Sequence, residues 1–124
     1  MKIYNDNPQG KRVDDCTVRA IAVATGESWE YTYIMLCIQG FLLADMPHSN
    51  AVWAAYLRSR GWKRSVIPNS CPDCYTVRDF ALDNPQGNYI LGTGTHAVAV
   101  VDGFIIDSWI SADEVPQYYF YKGD

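Results

Sequence analysis

Thr95-His96-Ala97-Val98-Ala99-Val100-Val101-Asp102-Gly103-Phe104-Ile105-Ile106-Asp107-Ser108-Trp109 reads as a β-hairpin. Two runs rich in β-branched and aromatic residues flank Asp102-Gly103. A two-residue type I′ turn needs positive φ at both central positions, which Asp-Gly supplies. The turn fixes the register: Val101 faces Phe104, Val100 faces Ile105, Ala99 faces Ile106 and Val98 faces Asp107. Side chains alternate along a strand, so His96, Val98 and Val100 share a face, and Asp107 points the same way. His96 and Asp107 become diagonal neighbours with Cβ atoms roughly 7 Å apart, within reach of an imidazole–carboxylate hydrogen bond. Asp102 sits at the turn, about 20 Å from His96, and is excluded as its partner.

A His–Asp pair on an apolar hairpin has two readings. One is a histidine satisfied by a carboxylate at a sheet edge. The other is a base with its orienting group, awaiting a nucleophile.

The 124 residues suffice for one domain over 1–124 with one core. The net charge is −4 and no Lys/Arg cluster occurs, which argues against nucleic-acid binding. No apolar run approaches the roughly 20 residues of a membrane span, so no membrane partner is expected. The N-terminal residues lack the apolar core of a signal peptide. The four cysteines, Cys16, Cys37, Cys71 and Cys74, then read as free thiols in a cytoplasmic setting rather than a disulfide framework, with a Cys71–Cys74 disulfide as the alternative.

Residues 1–13 are polar and read as an irregular lead-in. Asp14 or Asp15 can cap a helix running to about Thr25, apolar nearly all round and therefore buried, with Gly26 closing it. Ser28 can cap a second helix over 29–39, ended by Gly40. Ser49 can cap a third over 50–60. A strand over 62–67 precedes a loop carrying Cys71-Pro72-Asp73-Cys74. Thr76 and Asp79 form a capping box for a short helix to about Asp83. Strands over 89–93, the hairpin, and 117–121 complete the chain. Helices first and an antiparallel sheet after give an α+β fold.

Cys16 stands in the first turn of the buried helix. Free N–H groups and the helix dipole favour a thiolate there, and the same N–H groups can hold an oxyanion. The bland reading is a small buried hydrophobe. Its position at a helix start, with a His–Asp pair elsewhere on a sheet, favours the sharper one.

Asp15-Cys16-Thr17-Val18-Arg19-Ala20-Ile21-Ala22, Gly94-Thr95-His96-Ala97-Val98-Ala99-Val100 and Asp107-Ser108-Trp109 together resemble the papain-like cysteine peptidases, and the whole chain looks similar to small bacterial and phage proteins of that fold. The resemblance implies N-terminal helices packed on a small antiparallel sheet, with the nucleophile at the start of the central helix. It implies Cys16 as nucleophile, His96 as base and then acid, and Asp107 in the place that Asn holds in papain. It also implies a side-chain amide at the oxyanion: Gln9, seven residues upstream, with Asn5 and Asn7 as alternatives. The substrate would be a peptide or protein cleaved at an amide or isopeptide bond through a thioester, without metal or other cofactor. The negative charge favours a neutral or basic one. The Cys-Gly-Ser-Cys-Trp signature of papain itself is absent.

Two rival functions stand beside this one. The first is a papain-like scaffold that binds a partner without turnover, such as a phage-borne binder of a host factor. The second is a metal or redox protein built on Cys71 and Cys74. A structural zinc wants four ligands, and only Cys37 and His48 remain to complete the set. No βαβ unit supports a thioredoxin-like pair. His48 reads as a loop residue. Trp109 stands where it can shield the His–Asp bond. Arg19, one turn after Asp15, reads as half of a helix-surface ion pair of little energetic weight.

Overall fold

In the computed structural model, which describes residues 1–123, four helices and six strands form an α+β fold. The elements are β1 (Lys2–Ile3), α1 (Cys16–Thr25), α2 (Trp29–Leu43), α3 (Asn50–Ser59), β2 (Trp62–Val66), α4 (Val77–Asp83), β3 (Asn88–Gly92), β4 (Ala97–Val101), β5 (Phe104–Asp107) and β6 (Tyr118–Lys122). The strands make one sheet in the order β1-β5-β4-β3-β6-β2.

The hairpin follows its expected register: Val101 pairs with Phe104, Val100 with Ile105 and Ala99 with Ile106. Asp102 and Gly103 take φ values of 50° and 80°, the two positive angles of the turn. The ladder stops short of His96, which precedes β4 at a bend.

The sheet is mixed, where an antiparallel one is expected from the sequence. The lead-in contributes β1, which pairs in parallel with β5, Ile3 lying beside Asp107. Two residues are too few to show a period in the sequence, and only the partner strand makes them a strand.

Alternation along the central strands builds two cores. Ile90, Ala97, Ala99 and Phe120 meet Ile21, Leu36, Trp53 and Leu57 of α1–α3. Leu91, Val98, Val100 and Ile105 meet Val77 and Phe80 of α4 on the opposite face. The central helix α1 is buried nearly throughout, Ile21 completely, as its all-round apolar sequence requires. Gly26 ends it in the left-handed region at φ 77°.

α2 does not end at Gly40. It runs through to Leu43, and Gly40 is buried within it. A Cβ at this position would lie 2.8 Å from the Asp45 carbonyl oxygen, so the glycine serves close approach of the following turn. Ser28 caps α2 by accepting from the Tyr31 N–H, and Thr76 with Asp79 forms the capping box of α4. Ser49 occupies the N-cap position of α3 without a side-chain capping bond, and its hydroxyl donates to Asp45 at 2.9 Å.

Cys71 and Cys74 are joined in a disulfide, the alternative to their reading as free thiols. The loop brings their Cα atoms to 4.1 Å, so two intervening residues suffice to bridge them. A disulfide offers no thiolate to a metal. Cys16 and Cys37 are free. Among the described residues, no helix is long and apolar enough to cross a membrane.

Candidate functional site

Cys16 is the first residue of α1 and is half-buried. The first-turn N–H groups of a helix have no intrahelical acceptor, so they remain open to a ligand oxygen. Asp15 takes the N-cap position, yet its carboxylate makes no capping bond. It is buried, accepts from the Trp29 indole N–H at 2.9 Å and pairs with Arg19 one turn on.

The open end of the hairpin supplies the imidazole and its partner. The His96 carbonyl accepts from the Thr93 N–H at 2.9 Å, which holds the bend before β4. Asp107 ends β5, and its carbonyl accepts from the Tyr4 N–H at 2.7 Å. The short edge strand β1 therefore steadies the strand that carries the carboxylate. His96 Nε2 lies 2.6 Å from Asp107 Oδ2. Asp107 is fully buried, and 7% of the His96 side chain is exposed.

Three further donors converge on the Asp107 carboxylate: the Ser108 N–H at 2.7 Å, the Ser111 hydroxyl at 2.7 Å and the Arg19 guanidinium at 3.0 Å. Burial by itself would favour the neutral acid. The hydrogen bonds from His96 and Ser111, the imidazole's charge and the Ser108 N–H outweigh it and hold the carboxyl below its usual range. Burial likewise opposes a charged His96. Hydrogen bonds to Asp107 and Cys16, together with their negative charge, overcome that penalty and push the imidazole up to about 9. Cys16 and His96 line the same two cavities, and the sulfur is among the groups that raise the imidazole. With Nε2 committed to Asp107, Nδ1 is the ring nitrogen that Asp107 does not engage.

Trp109 packs edge-on against the imidazole with ring centroids 4.9 Å apart, while half of its own surface faces solvent. It covers one side of the His–Asp bond. Its indole nitrogen lies 3.1 Å from the same Nε2, but that nitrogen has one proton or one lone pair to offer, and the closer, charged carboxylate takes it.

Two small cavities open onto the sulfur and the ring. One, about 240 Å³, is lined by Asn5, Arg12, Asp14, Cys16, His96 and Trp109 among others. The other, about 290 Å³, has Cys16, Thr17, His48, Asn50, Trp53 and His96 in its walls. A larger cavity of about 580 Å³ adjoins them, sharing Asp14, Thr17 and His48, but Cys16 is not in its wall. Gln9 is exposed and lines that neighbouring cavity, as does Asn7. Of the three candidate amides, Asn5 is the one that shares a cavity with Cys16 and His96.

The structure therefore brings Cys16, His96 and Asp107 together and leaves Gln9 outside. It adds residues that the sequence reading passed over. Arg19 is not half of a surface pair: it is 5% exposed and bridges Asp15 and Asp107. Its burial follows from a helix covered on all sides, and an arginine on such a helix was the available signal. His48 joins the wall of the Cys16 cavity from the turn before α3, a placement that no local pattern announces. No family model, curated protein or solved structure matches the chain.

Proposed function

We propose that this protein is a cysteine-type hydrolase of papain-like arrangement, acting on a peptide, isopeptide or related amide bond. The observation that carries the reading is the alignment of a helix-start thiol, a buried imidazole and a fully buried carboxylate on α1, the bend before β4 and β5. Cys16 Sγ attacks the substrate carbonyl carbon. The thiol proton leaves to His96, whose imidazolium form Asp107 favours. First-turn N–H groups of α1 hold the oxyanion, and Asn5, in the wall of the same cavity, offers the second amide proton of a side chain whose first goes to the Lys11 carbonyl. His96 then protonates the leaving amine, and a thioester remains on Cys16. A water molecule gives a proton to His96 and attacks the thioester, which releases the acid and restores the thiol. Asp107 keeps the Nε2 proton and thereby the ring's orientation throughout.

The test compares the two free cysteines. Iodoacetamide at low concentration is expected to alkylate Cys16 at least tenfold faster than Cys37 in the folded protein, read by mass spectrometry of the peptides. Cys16→Ala removes the fast phase, and His96→Ala slows it. Equal rates at the two sulfurs overturn the proposal. Turnover is then sought with a library of peptide and isopeptide amides.

A second reading, a binding module without turnover, draws on one observation. Ile34, Ile38, Phe41 and Leu42 of α2 are exposed on a helix otherwise packed against α1 and α3. Such a surface suits a protein partner. A fast Cys16 with no hydrolysis of any amide in the library would favour it.

A further inference from the structure

The site continues inward past the three residues of the proposed triad. The guanidinium of Arg19 grips two carboxylates at once: Nη1 binds Asp15 Oδ1, and Nη2 binds Asp107 Oδ1 at 3.0 Å. Asp15 Oδ2 is anchored by the Trp29 indole N–H at 2.9 Å. Trp29 belongs to α2 and stacks on Tyr33 with centroids 5.1 Å apart. A line of bonded side chains therefore runs from α2 through α1 to the hairpin, and its charges alternate in sign from Asp15 to Arg19 to Asp107 to His96.

We propose that Asp15 and Arg19 are positioning residues that fix the plane and the effective charge of Asp107, and through it the orientation of the His96 ring toward Cys16. The chemistry this serves rests on the hydrolase reading above, but the linkage itself does not. Asp107 accepts four hydrogen bonds, two on each oxygen: Arg19 and Ser108 on Oδ1, His96 and Ser111 on Oδ2. A carboxylate has about four lone-pair directions, so this one is full, and its plane cannot turn without breaking bonds. The fork of a guanidinium is rigid, so Arg19 sets that plane relative to the axis of α1. Cys16 sits on the same helix one turn earlier. One rigid element thus places both the sulfur and the carboxylate that aims the ring at it.

The charge argument runs along the same line. Arg19 alone would draw the negative charge of Asp107 away from the imidazolium. Asp15 neutralises much of that pull, so Asp107 keeps its strength toward His96. The charged and titratable groups that face His96 are Asp107 from β5, Cys16 and Arg19 from α1, and Arg12, Asp14, Asp15 and His48 around the two cavities. Of these, Arg19 is the one with a second buried carboxylate on its far side.

The experiment is Asp15→Asn in the whole protein. The substitution keeps the shape and an oxygen for the Trp29 N–H while removing the charge and the second acceptor that Arg19 uses. Imidazole resonances are followed by NMR across pH, with His48, the chain's other histidine, as internal reference. The expected result is a folded variant whose His96 midpoint falls by about one pH unit while His48 does not move. A folded variant with an unchanged His96 midpoint and only a lower Tm overturns the proposal. Should the variant fail to fold, the wild-type protein provides the second measurement: the Arg19 guanidinium signals are expected to shift at the His96 midpoint. Arg19 signals that stay flat through that titration overturn the proposal as well. Neither measurement uses turnover, so failure of the hydrolase reading is separately visible.

Discussion

Arg19 and Arg78 each meet an aspartate, and the two pairs could hardly be placed more differently. Arg19 and Asp15 stand four residues apart on α1, with side chains 6% and 5% exposed. Arg78 of α4 meets Asp113 with side chains 54% and 77% exposed. The first pair has a third partner in Asp107 and a fourth contact in Trp29, both inside the fold. The second stands in water, where solvent competes for both charges. Burial converts one and the same pair of residue types from a surface ornament into a constraint on the geometry around Cys16.

The largest expected effect lies at the buried pair. Arg19→Met leaves Asp15 and Asp107 facing one another without their cation. Removing one member of a buried ion pair costs about 3–5 kcal/mol, a large share of the stability of a small domain. Chemical denaturation followed by circular dichroism measures it. A loss below about 1 kcal/mol would erase the distinction between the two pairs.

Next in size is the pH dependence of stability. The folded His96 titrates at about 9 against 6.5 for the free side chain. Its contribution is therefore complete below pH 6.5 and is lost as pH rises through about 9. The full difference is worth about 3 kcal/mol. Asp107 behaves in the opposite sense: its contribution is present above the usual carboxylate range and is lost as pH falls through its lowered folded value. Denaturation midpoints of the wild type and His96→Gln, taken from pH 6 to pH 10, should converge as the pH rises. Parallel curves would mean that the imidazole is not charged in the fold.

What the sequence disclosed depends on whether a signal was local. The Asp102-Gly103 turn sets the register, so counting puts His96 and Asp107 at the same open end of the hairpin; the ladder ends at Ala99 and Ile106, and the bend before β4 completes the approach. The start of α1 at Cys16 was legible from Asp14-Asp15 and the apolar run behind them. The role of Asp15 was not, because its carboxylate turns from capping to a tryptophan on another helix. Spacing places Asp15 and Arg19 on one helix face but does not say what covers that face. β1 gives too short a segment for any period, and Gly40 is spent on a close approach that only the folded turn reveals. Gln9 stood near the expected distance along the chain, but the lead-in carries it into the neighbouring cavity and leaves Asn5 in the wall of the cavity that Cys16 also lines.

A smaller effect sharpens the description of the carboxylate. Ser111 is 1% exposed and donates to the same oxygen as His96, at 2.7 Å. Ser111→Ala removes one of four donors without changing any charge. The expected cost is about 1–2 kcal/mol, with a small upward move of the Asp107 titration, visible by NMR of the labelled carboxyl carbon. A downward move would show that Ser111 does not donate to the ionised form.

The smallest effect belongs to the exposed pair and completes the contrast. Arg78 also contributes its backbone N–H to the Ala112 carbonyl at 2.9 Å, and a side-chain substitution leaves that bond intact. Arg78→Ala therefore removes only a solvated ion pair, for which about 0.5 kcal/mol is the expected loss. Raising the salt concentration should shrink even that, because charges in water are screened within a Debye length. The same salt should hardly alter the cost of Arg19→Met, whose partners are shielded from mobile ions. A salt response of equal size at the two sites would show that water reaches Asp107, and the helix that carries Cys16 would then no longer hold the carboxylate in a fixed plane.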